Sequence, residues 1–140
     1  MSQIGFWIKN ARSISLPQSA LPCLTAIVLC IGQEGFVWWL ALPILLGICA
    51  AHLGMNLADD YFDYKHDPRT RADISSSSVR ARMEKCHYLG EGEGKATVSQ
   101  LGWAIVGFLG FAALMGAIAL VGQWLVHGWQ ATIGIVVYAL

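Results

Sequence analysis

Two long apolar runs, from Phe36 to about Leu57 and from Leu101 to Leu125, fix the physical setting of this chain. A helix needs about 20 apolar residues to cross the hydrocarbon core of a bilayer, and each run meets that length. A third run, from about Leu16 to Gly32, is a little short and contains Pro17 and Pro22. Phe6 and Trp7 ahead of it suit an interfacial anchor. The charge content agrees: 13% of residues are charged, against roughly 25% in soluble domains. The expected fold class is therefore all-α, a polytopic transmembrane helix bundle with spans at about 16–32, 36–60 and 101–125.

A fourth apolar stretch starts near Ala131 and reaches Leu140 with no polar stop. At ten residues it is too short to span, so it reads either as the start of a fourth helix or as a re-entrant tail. The expectation is a single membrane domain cut after three full spans and part of a fourth.

The basic residues sort completely. Lys9 and Arg12 precede the first span. Lys65, Arg69, Arg71, Arg80, Arg82, Lys85 and Lys95 fall in the polar connection of residues 64–100, and the turns near 33–35 and 123–130 have none. The positive-inside rule then places the N-terminus and the 64–100 loop in the cytoplasm of a multi-pass protein of the cell (inner) membrane. No small-residue cleavage pattern follows Gly32, so the first span reads as a retained anchor and not a signal peptide. Net charge is zero, and no nucleic-acid partner is expected.

The four cysteines suggest no pairing. Cys23, Cys30 and Cys49 lie within apolar runs and read as small buried hydrophobes. Cys86 and His87 lack a second spaced pair, which argues against zinc. The Gly90–Lys95 segment fails the spacing of a phosphate loop, and Glu91 and Glu93 would repel phosphate. Thr97 or Ser99 is placed to cap the third span. Gly47 with Ala51, Ala50 with Gly54, and Ala112 with Gly116 are small residues at a spacing that lets helices approach closely.

Chemistry concentrates at the end of the second span. Asp59, Asp60, Asp63 and Asp67 crowd the mouth of an apolar helix, where charge is expensive and like charges repel. Asn56, Asp60, Asp63 and Asp67 are spaced four, three and four, which places them along one helical stripe. Asp59 sits beside it, about 100° round from Asp60. The spacing excludes an EF-hand, whose ligands alternate along a loop around a glycine. Carboxylates on a helix with room for water better suit Mg²⁺ shared with substrate phosphates. Lys65, Arg69 and Arg71 are near enough in sequence to hold phosphate oxygens. The same charges also fit a solvated helix end paired with itself.

Tyr61, Phe62 and Tyr64 interleave with the acids, and aromatic faces stabilise cations. Trp38 and Trp39 read as an interfacial belt. His52 either hydrogen-bonds across helices or faces the aspartate cavity.

The segment Asn56-Leu57-Ala58-Asp59-Asp60-Tyr61-Phe62-Asp63, followed by Asp67, resembles the first aspartate-rich motif of the UbiA superfamily of intramembrane aromatic prenyltransferases. It is most similar to the menaquinone branch, the 1,4-dihydroxy-2-naphthoate prenyltransferases. Arg12-Ser13-Ile14-Ser15-Leu16-Pro17 resembles the opening of that branch, with Ser13 where a proline is usual. Gly94 to Leu101 resembles the lead into its third helix. The position of Asp59 is usually asparagine there.

The resemblance implies a bundle of nine transmembrane helices that transfers a polyprenyl group from a polyprenyl diphosphate to an aromatic acceptor with Mg²⁺. It implies catalytic roles for Asp60 and Asp63, and metal ligation by Asp60, Asp63 and Asp67. Asn56, Asp59, Arg12, Tyr64, Lys65 and Arg69 are the candidate substrate-binding residues. The family's second aspartate motif lies beyond Leu140, so these 140 residues alone are expected to be inactive. The competing expectation is a non-catalytic membrane protein that binds divalent metal or a lipid diphosphate, or a half-protein completed by a partner chain.

Overall fold

The computed structural model describes residues 2–66, 86–90 and 92–139. Helix dominates among them, and the only extended pairing is an isolated bridge between Leu89 and Ala96. Helix α1 spans Gln3–Asn10, α2 spans Pro17–Cys30, α3 spans Ala41–His66 and α4 spans Val98–Ala139. Short 3₁₀ turns at Ser13–Ser15 and Trp38–Leu40 lead into α2 and α3. Three segments are long and apolar enough to cross a membrane: Ser13–Cys30, Trp38–His66 and Val98–Gln130. The described chain is an all-α membrane helix bundle. The short first run gains its length from the 3₁₀ turn stacked on α2, with Pro17 at the first helical position, where its missing N–H costs nothing.

The bundle is organised around α3 and α4. Pro43, Gly47, Ala50, Leu53, Gly54, Leu57 and Asp60 are buried along α3 at intervals of one, three or four. The small residues do what their spacing suggests. A Cβ on Gly47 would lie 3.1 Å from the Met115 Cβ and 3.5 Å from the Ala112 carbonyl oxygen. One on Gly54 would lie 2.8 Å from Leu109. With little hydrophobic drive between helices in lipid, such close approach supplies the packing energy. The opposite side of α4 presents Trp103, Leu114, Leu125 and other large apolar side chains outward. A surface of that kind belongs against lipid or further apolar helices.

Helix α4 begins with a capping box. The Gln100 amide donates to Thr97 Oγ1, and the Thr97 amide donates to Gln100 Oε1. Thr97, not Ser99, is the cap. In place of a loop over 123–130, the backbone stays helical and breaks only at Gly128, at φ 80° and ψ 175°. Glycine alone adopts that conformation without strain. The Thr132 hydroxyl donates to the Gly128 carbonyl beside the break.

The core at the α1 end contains Ala11, Leu53, Leu57, Cys86, Tyr88, Leu89, Ala96 and Leu101. Here the segment around Cys86–Leu89 folds onto α3. The Ala96 amide donates to the Tyr88 carbonyl at 2.8 Å, and the Gly90 amide donates to the Ala96 carbonyl at 3.1 Å. Lys95 reaches back to the His87 carbonyl. The N-terminal segment, the end of α3 and the described residues of 86–97 therefore meet at one end of the bundle.

Candidate functional site

The meeting point is built on Arg12. Its backbone is left-handed, at φ 56° and ψ 50°, at the joint between α1 and the 3₁₀ turn. A non-glycine residue holds that conformation only when its surroundings impose it. Nη2 of Arg12 lies 3.1 Å from the Asn56 carbonyl, 3.0 Å from Asp59 Oδ2 and 3.3 Å from Asp60 Oδ1. The third contact is an ion pair by distance rather than a well-formed hydrogen bond. One guanidinium nitrogen thus bridges two adjacent carboxylates. This offsets the repulsion that neighbouring aspartates would otherwise suffer.

Asp60 is fully buried. Besides facing Arg12, it accepts a hydrogen bond from the Tyr88 hydroxyl at Oδ2, at 3.0 Å. The Cys86 thiol donates to its backbone carbonyl at 3.2 Å. Tyr88 is itself fixed edge-on against Phe6 and Trp7, with ring centroids 6.1 and 6.0 Å away. Burial, followed by the nearby Asp60 charge, pushes the Tyr88 phenol far above the usual tyrosine range. The shift acts in the direction that keeps the proton on Tyr88, the donor to Asp60. A buried carboxylate needs such partners, because an isolated one would cost far more than folding can supply.

Asn56, on the same stripe, faces the backbone beside Arg12. Its side-chain amide donates to the Ala11 carbonyl at 2.9 Å and to Ser15 Oγ at 3.1 Å. His52, one turn earlier, places Nε2 2.8 Å from Ser15 Oγ and Nδ1 2.7 Å from Ser19 Oγ. Of its two expected settings, this is the hydrogen bond across helices.

The remaining candidates divide. Asp63 is half-buried, one turn beyond Asp60 on α3. Asp59 is exposed and tied to Arg12. Tyr64 packs against the core cluster. Lys65 is exposed and turns along its own helix, donating to the Tyr61 hydroxyl at 3.2 Å and lying over that ring. Asp67, Arg69 and the basic residues from Arg71 to Lys85 lie outside the described residues. Tyr88, Cys86, Ser15 and Ser19 were not among the candidates. They are ordinary residues in ordinary stretches, and only the fold brings them to α3.

Asp67, the third of the expected Mg²⁺ ligands, lies outside the described residues. No three histidine, cysteine, aspartate or glutamate side chains gather among them in a way that would hold a metal ion. The Asp60 carboxylate is turned toward Arg12 and Tyr88, away from solvent.

Against known proteins, 63 residues of this chain are 33% identical to the 1,4-dihydroxy-2-naphthoate octaprenyltransferase of Mycobacterium leprae (strain TN). The matched segment is 45% of this chain and 21% of that enzyme. The chain therefore spans about a fifth of the relative it matches, and that enzyme's activity, substrates and partners are proposals for this protein. No protein-family model matches the sequence, and no solved structure matches it significantly.

Proposed function

We propose that this chain is part of an intramembrane prenyltransferase. It would transfer a polyprenyl group from a polyprenyl diphosphate to an aromatic acceptor, 1,4-dihydroxy-2-naphthoate, on the route to menaquinone. One observation carries the reading. Arg12, Asn56, Asp59 and Asp60 converge at the end of a membrane-length helix. The partial identity with a naphthoate octaprenyltransferase supports it. The membrane end where they meet is then the cytoplasmic one, as the sorted basic residues suggest.

In this reading the C–O bond at the prenyl C1 breaks, and its electron pair leaves with the diphosphate. The electron-rich ring then forms a C–C bond to C1, and the attacked ring carbon regains aromaticity by releasing the group it carried, a proton or CO₂. Arg12 and Lys65 supply positive charge for the diphosphate oxygens. Tyr61 and Tyr64 offer aromatic faces to the allylic cation. Asp63 is the half-buried carboxylate nearest the exposed end of α3. The Mg²⁺ expected at Asp60, Asp63 and Asp67, the last of which lies outside the described residues, would supply further positive charge to the diphosphate.

The decisive variant is Asp63→Ala in the protein expressed from its complete gene. Prenyl transfer from a polyprenyl diphosphate in Mg²⁺ buffer is expected to disappear. Wild-type turnover in that variant would overturn the assignment.

The charged cluster of Arg12, Asp59 and Asp60 also suits the second reading, a non-catalytic membrane protein that binds divalent metal or a lipid diphosphate, or a half-protein completed by a partner chain. Such a protein would show no prenyl transfer with any of these residues intact.

A further inference from the structure

Two α3 side chains reach across to the backbone on either side of Arg12. Asn56 pins the Ala11 carbonyl directly. The Arg12 carbonyl accepts a hydrogen bond from Ser15 Oγ at 2.8 Å, and Ser15 Oγ in turn lies 2.8 Å from His52 Nε2. The two carbonyls so held flank the residue whose φ is 56°. A left-handed non-glycine residue costs roughly 1–2 kcal/mol, so it needs such restraint to persist.

Counting protons fixes the direction of the network. A carbonyl oxygen only accepts, so the single Ser15 hydroxyl proton is committed to the Arg12 carbonyl. Asn56 Nδ2 also donates to Ser15 Oγ. Ser15 therefore has no proton left for His52, and His52 Nε2 must be the donor. In the neutral imidazole Nδ1 is then the acceptor, and Ser19 gives it its hydroxyl proton.

We infer that His52 is a positioning residue: as the Nε2–H tautomer it holds Ser15, and through Ser15 the left-handed turn that aims Arg12 at Asp59 and Asp60. This deepens the proposed function, because it matters to activity only if the Arg12 end of α3 is the diphosphate site. His52 touches none of the carboxylates in the described network. Its effect passes through the backbone of Arg12.

Two measurements on the protein from its complete gene test this. The first is ¹⁵N NMR of histidine-labelled wild-type protein in lipid bilayers, with His52 assigned by loss of its signal in His52→Gln. The proton is expected on Nε2, with Nδ1 bare. A proton on Nδ1 with Nε2 bare would overturn the inference, whatever the protein catalyses.

The second is the Kd for inorganic diphosphate in Mg²⁺ buffer. Glutamine puts an N–H near the place of Nε2 and keeps the bond to Ser15, whereas asparagine reaches only the place of Nδ1. His52→Gln is expected to bind within about twofold of wild type, and His52→Asn roughly tenfold more weakly, the scale of one lost charge-assisted contact. In an Arg12→Gln background, His52→Asn is expected to add nothing. Equal losses in the two His52 variants, or an additive loss with Arg12→Gln, would show a merely structural histidine and sink the inference. Wild-type protein that binds no diphosphate would instead refute the proposed function, and the NMR result alone would then decide the role of His52.

Discussion

The Tyr88 hydroxyl donates to Oδ2 of the buried Asp60 at 3.0 Å, although 28 positions separate the two residues. This bond closes the segment around Cys86–Leu89 over the end of α3. Tyr88→Phe keeps the ring in its box of Phe6 and Trp7 and removes only the donor. The expected loss is about 1–3 kcal/mol of stability, the cost of leaving a buried acceptor short of its partner. Thermal unfolding in detergent measures it. An unchanged midpoint would mean that water or another group replaces the phenol at no cost.

Arg12 bridges two carboxylates of unequal exposure, and the two ties should differ in strength. Arg12→Gln is expected to cost about 2 kcal/mol. That is below the roughly 3–5 kcal/mol for a fully buried pair, because the Arg12 side chain is about one third exposed and partly screened. Adding Asp60→Asn to Arg12→Gln should recover part of the loss by removing the stranded buried charge. Asp59→Asn alone should cost less than about 1 kcal/mol, since Asp59 is half exposed. A double-mutant cycle on unfolding midpoints separates these terms. Additivity of Arg12→Gln with Asp60→Asn would rule out the coupling.

The helix contact makes a prediction with a built-in control. Gly47 faces the Met115 Cβ and the Ala112 backbone across the α3–α4 seam, so Gly47→Leu should push the helices apart and cost about 1–3 kcal/mol. Gly102, also on α4, has open space where a Cβ would go. Gly102→Ala should therefore be neutral or stabilising by up to roughly 1 kcal/mol, through helix propensity. Paired unfolding curves compare them, and equal effects would refute the packing account.

Some of this molecule was already determined by its sequence. Apolar runs of spanning length made the helices, because a bilayer-length stretch with so little charge has few other outcomes. The four-three spacing of Asn56, Asp60 and Asp63 needed only a helix that continues to the end of α3, and it does, to His66. The Thr97–Gln100 cap and the small-residue seam are local patterns whose partners lie within a turn or on the facing helix.

Tertiary structure decided what each of these side chains does. Along the helix stripe Asp59 and Asp60 look alike. In the fold one is exposed on an ion pair and the other is buried beneath a tyrosine. His52 could not be told apart from any intramembrane histidine until Ser15 and Ser19 lay against its two nitrogens. The left-handed turn at Arg12 has no glycine to announce it, because contacts with residues more than 40 positions away hold it in place. A helix period fixes which residues share a face. Only the packing of distant segments fixes the dielectric and the donors that face meets, and those set its chemistry.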